Sequence, residues 1–410
     1  MTSSQSRPLT REEVAAFAAE VDELRNRIVA DLGENDARYV RRIRDAVRWS
    51  ELGGRALLFA GILPPAWALG TLLLGLSKIL ENMELGHNVM HGQYDWMQDP
   101  EFHSQTYDWD NACAAPAWRH SHNYMHHKFT NVVGRDRDVG YGFLRLFPDQ
   151  PWHPAHLLQP PASLLLALGF QWGVALHDLE LERVLRGEKS VEELRKELKP
   201  VLRKARRQLL KDYAIFPLLA GPSFVPVMAG NLAANVIRNV WAFIIIFCGH
   251  FTERVETFPE SVLENETRGE WYLRQMKGSS NLEGGRLFHI LSGNLSHQIE
   301  HHLFPDVPAN RYAEMAVEVK RIAGEYGQHY NTGSFARQFA SVVKRIVRYA
   351  LPNTTPVRRT VDLLVERVGL SPRVEAWWAW RSGLRATHQP SSCPGSVAPA
   401  RSRAGRRFST

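Results

Sequence analysis

The sequence predicts an all-α integral membrane protein with two transmembrane helical hairpins, about four spans, and a cytosolic helical cap that carries a histidine-rich metal site. Three observations lead to this fold class. Apolar stretches without any Asp, Glu, Lys or Arg occur at 56–77, 150–177, 213–237 and 239–252. A strongly basic linker separates two of them, and nine of the 17 histidines fall into three short clusters. Because a spanning helix needs about 20 mostly apolar residues, each stretch can be compared with the thickness of a bilayer.

The average composition excludes several classes of protein but hides these stretches. The chain has 410 residues, a formal charge of +7, 44% hydrophobic residues and three cysteines, which excludes a disulfide scaffold, a collagen-like repeat and a wholly disordered chain. Its mean hydropathy of −0.30 is typical of a soluble protein, but spans are identified only by local hydropathy. Cys113, Cys248 and Cys393 form no CxxC spacing, which favours a reducing compartment.

The N-terminal part of the chain predicts a cytosolic region followed by a first hairpin. Residues 1–47 contain an amphipathic pattern without an apolar run, so we expect a surface helix and neither a signal peptide nor a transit sequence. The first membrane segment, about 48–86, is interrupted by Pro64 and Pro65, which either kink one helix or divide two. If they divide two, the first must start near Trp49 and the second must continue past Lys78 and Glu81 towards residue 90.

The middle of the chain predicts an interfacial segment and a cytosolic linker. Within 150–177 only about 160–177 is convincingly apolar, which is short for a span and suits an interfacial or re-entrant helix. Residues 183–212 contain 11 Lys or Arg and 5 acidic residues, which places this linker in the cytosol under the positive-inside rule. We therefore expect everything outside the two hairpins to lie on the cytosolic side.

The second hairpin is predicted at about 213–252, as helices 213–230 and 232–252 with Pro222 and Pro226 bending the first. Arg238 is the one full charge in this region and should face the bundle interior or reach an interface. Residues 48–345 would then form the main domain. The tail, 346–410, has no acidic residue after Glu375 and is rich in Arg, Pro, Ser and Gly, so we expect a basic, disordered segment.

The histidine clusters predict a site for two metal ions. They read GHNVMH at 86–91, RHSHNYMHH at 119–127 and SHQIEHH at 296–302. Each contains a pair four residues apart, which on a helix places both imidazoles on one face. Without His120 the clusters supply eight histidines, more than the three or four that one zinc ion needs, and imidazole binds Fe, Zn, Cu and Ni. The predicted ligands are His87, His91, His122, His126, His127, His297, His301 and His302.

These motifs resemble the three histidine boxes of the membrane-bound fatty-acid desaturases, and within that family the actinobacterial acyl-CoA desaturases. The boxes are HNVMH (87–91), HNYMHH (122–127) and HQIEHH (297–302), the last continuing as LFPDVPANRY. Supporting stretches are ENMELGHNVMHGQYDWMQDP, HHKFTN with RDRDVGYG, NVIRNVWAFIIIFCGHF, EWYLRQMKGSSN and SGNLSHQIEHHLFP. The resemblance covers about residues 10–340.

The resemblance implies a non-haem centre of two Fe ions that uses O2 as a cosubstrate. It implies insertion of a cis double bond, at the Δ9 position, into a long-chain saturated acyl-CoA such as stearoyl-CoA, in unsaturated fatty acid biosynthesis. The di-iron centre itself is then catalytic, and no separate side-chain acid or base is assigned. The active site should lie on the cytoplasmic side of the cell membrane. The family usually has a further metal histidine at the cytosolic end of the last membrane helix, and His250 fits that position.

Several residues near the boxes are candidates for binding the metal ions or for orienting their ligands. Relatives with QIEHH often have glutamine where the third box otherwise begins with histidine, and this chain has both His297 and Gln298. We favour His297, because imidazole binds iron better than an amide does. Asn294 is a candidate for holding a metal-bound water. Nearby carboxylates, namely Glu84, Asp95, Asp99, Asp136, Asp138 and Glu300, are candidates for orienting imidazoles, and His103, His120 and His289 are expected to be supporting or structural.

The electrons must come from another protein. The sequence has no GxGxxG fingerprint, no cysteine cluster for iron–sulfur and no fused haem domain. A separate NAD(P)H-dependent iron–sulfur oxidoreductase or a ferredoxin is therefore implied, beside the fatty acyl substrate and membrane lipid as partners. No motif supports binding of nucleic acid.

Two alternatives remain open from the sequence. The first is a di-iron hydroxylase acting on an alkyl or lipid substrate, which differs in forming an alcohol instead of an alkene. The second is a histidine-rich membrane metal-binding or transport protein, which predicts metal flux and no O2-dependent product. Its ligands should lie inside the spans, whereas these clusters lie outside them.

Overall fold

The computed structural model describes residues 6–353, which fold almost entirely as helices. Within this range the α-helices are, in chain order, α1 Arg11–Ala30, α2 Glu34–Phe59, α3 Pro64–Ile79, α4 His87–Met90, α5 Ala115–Trp118, α6 His127–Phe129, α7 Gln159–Leu168, α8 Phe170–His177, α9 Leu181–Leu185, α10 Val191–Leu210, α11 Phe216–Leu219, α12 Phe224–His250, α13 Arg268–Lys277, α14 Arg286–Leu291, α15 Gln298–Leu303, α16 Tyr312–Glu325 and α17 Phe335–Tyr349. Strands β1 Asn281–Glu283 and β2 Thr332–Ser334 pair in parallel, Leu282 opposite Gly333.

The first hairpin consists of α2 and α3, so Pro64 and Pro65 divide two helices instead of kinking one. Both prolines lie in the first turn of α3, where a missing backbone N–H costs no helical hydrogen bond. The two helices approach closely, because a Cβ atom on Gly54 would lie only 2.9 Å from the backbone oxygen of Gly70. After α3 the chain continues as a π-helix, Leu80–Gly86, directly into α4. The second arm therefore reaches residue 90, as the two-helix alternative requires.

The second hairpin turns earlier than the sequence predicts. Helix α12 runs unbroken from Phe224 to His250, and the turn is a short 3₁₀ segment at Gly221–Ser223. The predicted break near residue 231 is therefore wrong. Pro222 lies in the turn, and Pro226 is the third residue of α12, where it interrupts no internal hydrogen bond. The other arm consists of α10, a π-helix at Lys211–Ile215, and α11.

The turns of both hairpins lie together at one end of the molecule. The Trp67 indole Nε1 donates to the Pro226 carbonyl at 2.9 Å, and the Ser223 hydroxyl donates to the Phe59 carbonyl at 2.6 Å. Large apolar side chains around these turns are 40–70% exposed, which marks a surface suited to lipid. They are Phe59, Ile62, Leu63, Leu218, Leu219 and Val225.

By length and apolar composition, one helical segment of residues 6–353 qualifies as a membrane span, Gly221–His250. A second apolar segment, made of the helical residues 154–168 and 170–185, is bent by 101° between α7 and α8. Such a bend is the geometry of a broken or re-entrant segment, and the interfacial helix expected at about 160–177 stays a prediction.

Charged side chains buried between the hairpins join them. Asp212, which is fully buried, accepts hydrogen bonds from Lys78 at 3.1 Å and from Arg55 at 3.3 Å. The Asn235 amide of α12 donates to the same carboxylate at 3.3 Å. Arg238 is 1% exposed and contacts Asn82, so this charge faces the bundle interior as expected. Because buried charges require partners, these contacts align the hairpins.

The remaining helices form a cap over the other end of the hairpins. Helix α1 begins with a capping box between Thr10 and Glu13, and it buries Phe17 and Val21 against α13, α15 and α16. The predicted domain boundaries at 47/48 and 345/346 fall inside α2 and α17. Residues 354–410, most of the predicted basic tail, lie outside the described part of the chain.

Candidate metal centre

The three histidine clusters lie on helical segments that converge at the cap end of the hairpins. The first cluster occupies α4, directly after the π-helix Leu80–Gly86, and the third occupies α15. The second cluster lies within another π-helix, Arg119–His126, except for its last residue, His127, which begins α6. π-Helical turns are rare and occur frequently at functional sites, because their wider turn redirects side chains.

Four histidines form a first group that combines all three clusters. Their ligand atoms, one from each of His87, His91, His122 and His301, lie within 4.8 Å of one another. The Nε2 atoms of His87 and His122 are 3.3 Å apart. The ring centroids of His91 and His301 are 4.7 Å apart. Ligand atoms within 4.8 Å of one another are close enough for one ion to be bound by imidazoles from three distant parts of the chain.

A second group contains His126, His250 and His302, with ligand atoms again within 4.8 Å. The Nε2 atom of His250 lies 3.3 Å from that of His126 and 3.1 Å from that of His302. His127 lies between the groups, because its ring is 4.7 Å from those of His91 and His301 and stacks on His302 at 4.3 Å. The structure thus gathers eight of the nine predicted ligands around two adjacent positions.

The Nδ1 atoms of five of these histidines have polar partners, which leaves Nε2 directed into the groups. Such partners fix the orientation of an imidazole and its tautomer. They are Asn88 for His87 at 3.0 Å, Asp136 for His126 at 3.0 Å, the Gly278 carbonyl for His250 at 3.2 Å, Tyr312 for His301 at 3.3 Å, and Gln275 for His302 at 3.1 Å.

The chemistry of these side chains fits metal ions. Buried polar atoms normally have hydrogen-bond partners, yet both ring nitrogens of His127 and the Nε2 atoms of His91 and His301 have none within the described residues. Burial lowers the pKa of His87 to about 3 and that of His91 well below its ordinary value. The neutral form, which is the one that binds metal, is therefore favoured at both positions.

His126 differs because of a neighbouring carboxylate. Burial acts to lower its pKa, but the charge of Asp136 and the hydrogen bond to it outweigh burial and raise the pKa overall. A carboxylate bound to the remote nitrogen of an imidazole also raises the basicity of a ligating histidine. Of the six carboxylates considered from the sequence, Asp136 contacts a cluster histidine directly, and Asp138 lies 3.8 Å from His122 and His126.

The structure does not bring His297 to either group. His297 is the last residue of a 3₁₀ turn at Leu295–His297. Its ring stacks on that of His289 at a centroid distance of 4.4 Å. Gln298, the first residue of α15, faces the second group instead, with Nε2 2.9 Å from His250 Nε2. Gly249 permits this approach, since a Cβ atom there would come within 2.9 Å of the Gln298 side chain. The preference for His297 over Gln298 is therefore not supported.

Two further residues considered from the sequence have other contacts. The Asn294 amide donates to Glu84 at 2.9 Å, at a backbone position with a φ of 53°. His120 is exposed and stacks on Tyr124. The partners that sequence reasoning missed, Asn88, Gln275 and Tyr312, are polar residues inside or beside the matching stretches. Their position there is the only signal for them, because nothing in the spacing shows which ring they contact.

A cavity begins at these histidines and continues between apolar side chains. Its wall includes His87, His122, His126 and His250. Its apolar lining comes from the second arm of the first hairpin, α8, α12 and the turn before α15, with Met83, Phe170, Val174, Ala242, Ile246 and Leu295. Polar side chains, among them Asn82, Asp178, Arg238 and Asn239, also line it. An apolar cavity with a few convergent polar groups is typical of a site for a small, mostly hydrophobic ligand.

Two helical hairpins with an exposed apolar surface, a helical cap and clustered buried imidazoles define a class of histidine-rich helical proteins whose imidazoles could hold metal ions. The comparison with known families specifies the class further: the sequence model of the fatty acid desaturases matches residues 63–334. The chain belongs to the fatty acid desaturase family, and it is an oxidoreductase of that family.

Individual relatives agree with this family. The chain is 45% identical to the NADPH-dependent stearoyl-CoA 9-desaturase of Mycobacterium tuberculosis over 349 residues, 84% of this chain and 82% of that protein. It is 25% identical to the sn-1 linoleoyl-lipid 6-desaturase of Synechocystis over 308 residues, 72% of this chain and 84% of the relative. It is 30% identical to the acyl-lipid (7-3)-desaturase of Rebecca salina over 224 residues, 52% of this chain and 49% of that protein.

Proposed function

We propose that the protein is an O2-dependent acyl-CoA desaturase that inserts a cis double bond into a long saturated chain at a histidine-ligated di-iron centre. The observation that carries this proposal is the pair of adjacent groups of buried imidazoles at the head of an apolar cavity. The mycobacterial relative is a stearoyl-CoA 9-desaturase, which supports a stearoyl-CoA substrate and the Δ9 position for this chain. Overall, the acyl chain, O2, two electrons and two protons give the alkene and two molecules of water.

The histidines divide between two iron ions in this proposal. His87, His91, His122 and His301 would hold one ion, and His126, His250 and His302 the other, with His127 between them. We assign Gln298 instead of His297 to the third box, because only Gln298 faces this centre. Iron with O2 supplies the oxidising power to remove hydrogen from unactivated carbons, which no side-chain acid or base can do.

The residues of the chain would position the substrate and exclude water. Met83, Ala242 and Ile246 present apolar walls to an acyl chain and offer no hydrogen bond that would hold water beside it. Trp118 stacks on His122 at 4.5 Å and so fixes the plane of that ring. Asp136 and Tyr312 hold His126 and His301 in place through their Nδ1 atoms.

We further propose that both hairpins insert from the cytoplasmic side, which gives four spans. The adjacent hairpin turns and the exposed apolar side chains around them support this topology. The basic linker that contains α10 supports a cytoplasmic cap, because Lys and Arg are enriched on that side of membranes. Electrons would come from a separate iron–sulfur oxidoreductase or ferredoxin.

Expression in a host that lacks its own desaturase tests the function. We expect O2-dependent formation of monounsaturated acyl chains, with the double bond between carbons 9 and 10, counted from the carboxyl carbon as carbon 1, when products are mapped by mass spectrometry. A hydroxylated product would instead assign the chain to hydroxylase chemistry. Purified protein with fewer than about one iron per chain after reconstitution would contradict the di-iron proposal.

Narrowing the cavity should change the chain length of the product. Ala242 lines the cavity from α12, so Ala242→Phe is expected to shift the product ratio towards shorter chains by about tenfold, the loss expected when one or two methylenes no longer fit. Leu232→Phe is the matched control, because Leu232 lies on the same helix and is 55% exposed. Unchanged chain-length preference in Ala242→Phe with full activity would remove this residue from the acyl site.

A further inference from the structure

One surface of α10 carries unpaired positive charge on the cap side of the molecule. Arg195, Lys199, Leu202 and Arg206 follow one another at spacings of four, three and four residues, which is one stripe of a helix. All four are exposed, as is Arg203 beside them. Together these five residues are called the α10 basic face. Within residues 6–353 the ion pairs of α10 involve Glu192, Lys196, Glu197 and Lys204, and none involves a residue of this face.

The opposite surface of α10 packs against tryptophan side chains that reach the first group of histidines. Val201 is buried and belongs to an apolar cluster with Trp109 and Trp118, against which Leu194 and Leu198 also pack. The rings of Trp109 and Trp118 are 5.2 Å apart, and Trp118 stacks on His122 at 4.5 Å. Trp118 also contacts the rings of His87 and His91. A single layer of aromatic side chains therefore joins α10 to the first group of histidines.

We propose that the α10 basic face is the docking surface for an acidic electron-carrier protein, which delivers electrons through the Trp109–Trp118 layer to the metal centre. This inference rests on the proposed function, since a desaturase needs two electrons from outside for each turnover. The face has the form of a protein interface, with Leu202 as an apolar centre, 57% exposed, surrounded by basic side chains. Unpaired positive charge selects an acidic partner and speeds its association.

Lipid headgroups are the competing occupant, and the positions along α10 argue against them. The exposed leucines Leu209 and Leu210 continue into the apolar surface of the second hairpin, so the lipid contact lies near that end. Arg206 lies close to Leu209, but Lys199 and Arg195 are 10 and 14 residues before it, or about 15 and 21 Å along the helix at 1.5 Å per residue. Both distances exceed the Debye length of about 8 Å, over which headgroup charge acts at physiological salt.

The test compares two charge reversals in the full-length, iron-loaded protein. Lys199→Glu with Arg203→Glu reverses the α10 basic face, and Arg27→Glu with Lys320→Glu makes the same change in net charge at exposed positions of α1 and α16. The probe is an acidic plant-type [2Fe–2S] ferredoxin. Its Kd for each variant is measured in detergent, and its KM is measured in turnover with NADPH and ferredoxin reductase.

We expect the α10 variant to raise both the Kd and the KM for ferredoxin by about tenfold or more, while the control variant stays within about twofold. The α10 variant should also lose most of the salt dependence of binding. When the protein is first reduced with dithionite, which is then removed, a single turnover with O2 and stearoyl-CoA should give the same alkene yield in all variants.

Equal ferredoxin affinity in the α10 variant and the wild type would overturn the docking proposal, as would failure of the wild type to bind ferredoxin below about 100 µM. Loss of copurified anionic phospholipid from the α10 variant, with ferredoxin binding unchanged, would assign the face to lipid and overturn it equally. Failure of the proposed function gives a different result from failure of the docking proposal. If the protein is not a desaturase, even the dithionite-reduced wild type forms no alkene, and the comparison of Kd values still tests the docking.

Discussion

The His301→Ala variant is expected to lose more than about 100-fold of its desaturase activity and about half of its iron. His301 is fully buried, belongs to the first group and also forms a group with His127 and His302. Removing a residue that only orients a ligand costs about 10–100-fold in metal affinity or activity, so removing a ligand shared by both positions should cost more. Alkene formation and iron per chain are measured on the same preparation.

Two controls distinguish ligand loss from misfolding. His120→Ala removes a histidine of the second cluster that is exposed and contacts only Tyr124 among the described aromatic rings, so activity and iron should be retained. Tyr312→Phe keeps the ring that packs in the cap but removes the hydroxyl 3.3 Å from His301 Nδ1, and a loss of about 10-fold is expected. Full activity of His301→Ala with two irons per chain would refute the ligand assignment.

The Asp212→Ala variant should be the most destabilised single substitution between the hairpins. It leaves Lys78 and Arg55 buried, 4% and 8% exposed, without the carboxylate that both contact. Removing one partner of a buried ion pair costs about 3–5 kcal/mol when the remaining charge has no other partner. Glu51 at 2.8 Å from Arg55 and Asp110 at 3.8 Å from Lys78 compensate these charges in part, so we expect a cost near the lower end of that range. The expected result is a large fall in the thermal unfolding midpoint of the detergent-solubilised protein.

Glu51→Ala provides the matched comparison for this prediction. Glu51 contacts the same Arg55 at 2.8 Å, but its side chain is 41% exposed. Exposed ion pairs contribute about 0–1 kcal/mol, so the midpoint should change little. Similar midpoints for the Asp212 and Glu51 variants would show that the buried contacts do not hold the hairpins together.

Much of the fold was accessible from the sequence because apolar length is a local property. The first hairpin and the helical cap follow from stretches that are uncharged or amphipathic over 15 or more residues, whereas the interfacial position of 160–177 stays a prediction. The turn of the second hairpin was misplaced because Pro222 and Pro226 were read as bends. A proline in the first turn of a helix and one in its interior have the same sequence signal, and only the hydrogen bonding around them differs.

For the candidate metal centre, too, the sequence predicted some features and not others. The histidine clusters predicted which side chains converge, since seven of the nine predicted ligands lie in the two groups and His127 lies between them. Spacing did not decide how they are shared: His122 and His126, four residues apart in a π-helix, stack at 5.2 Å and both lie near Asp138, yet His122 also joins the first group and His126 the second. His297 is the last residue of the 3₁₀ turn before α15, and its ring stacks on that of His289 instead of joining either group.

The sequence by itself determined the family, the kind of ligand and the number of histidines available, because these depend on which residues are present and on their local order. Only the tertiary structure decided that Gln298 faces His250, that Asp136, Gln275 and Tyr312 orient the imidazoles, and that Trp118 connects α10 to the centre. The hydrogen bonds among these contacts join residues 10 to 48 positions apart, and the packing of Trp118 with Val201 joins the second cluster to α10. Such pairs are set by how helices pack, and no local pattern in the chain encodes them.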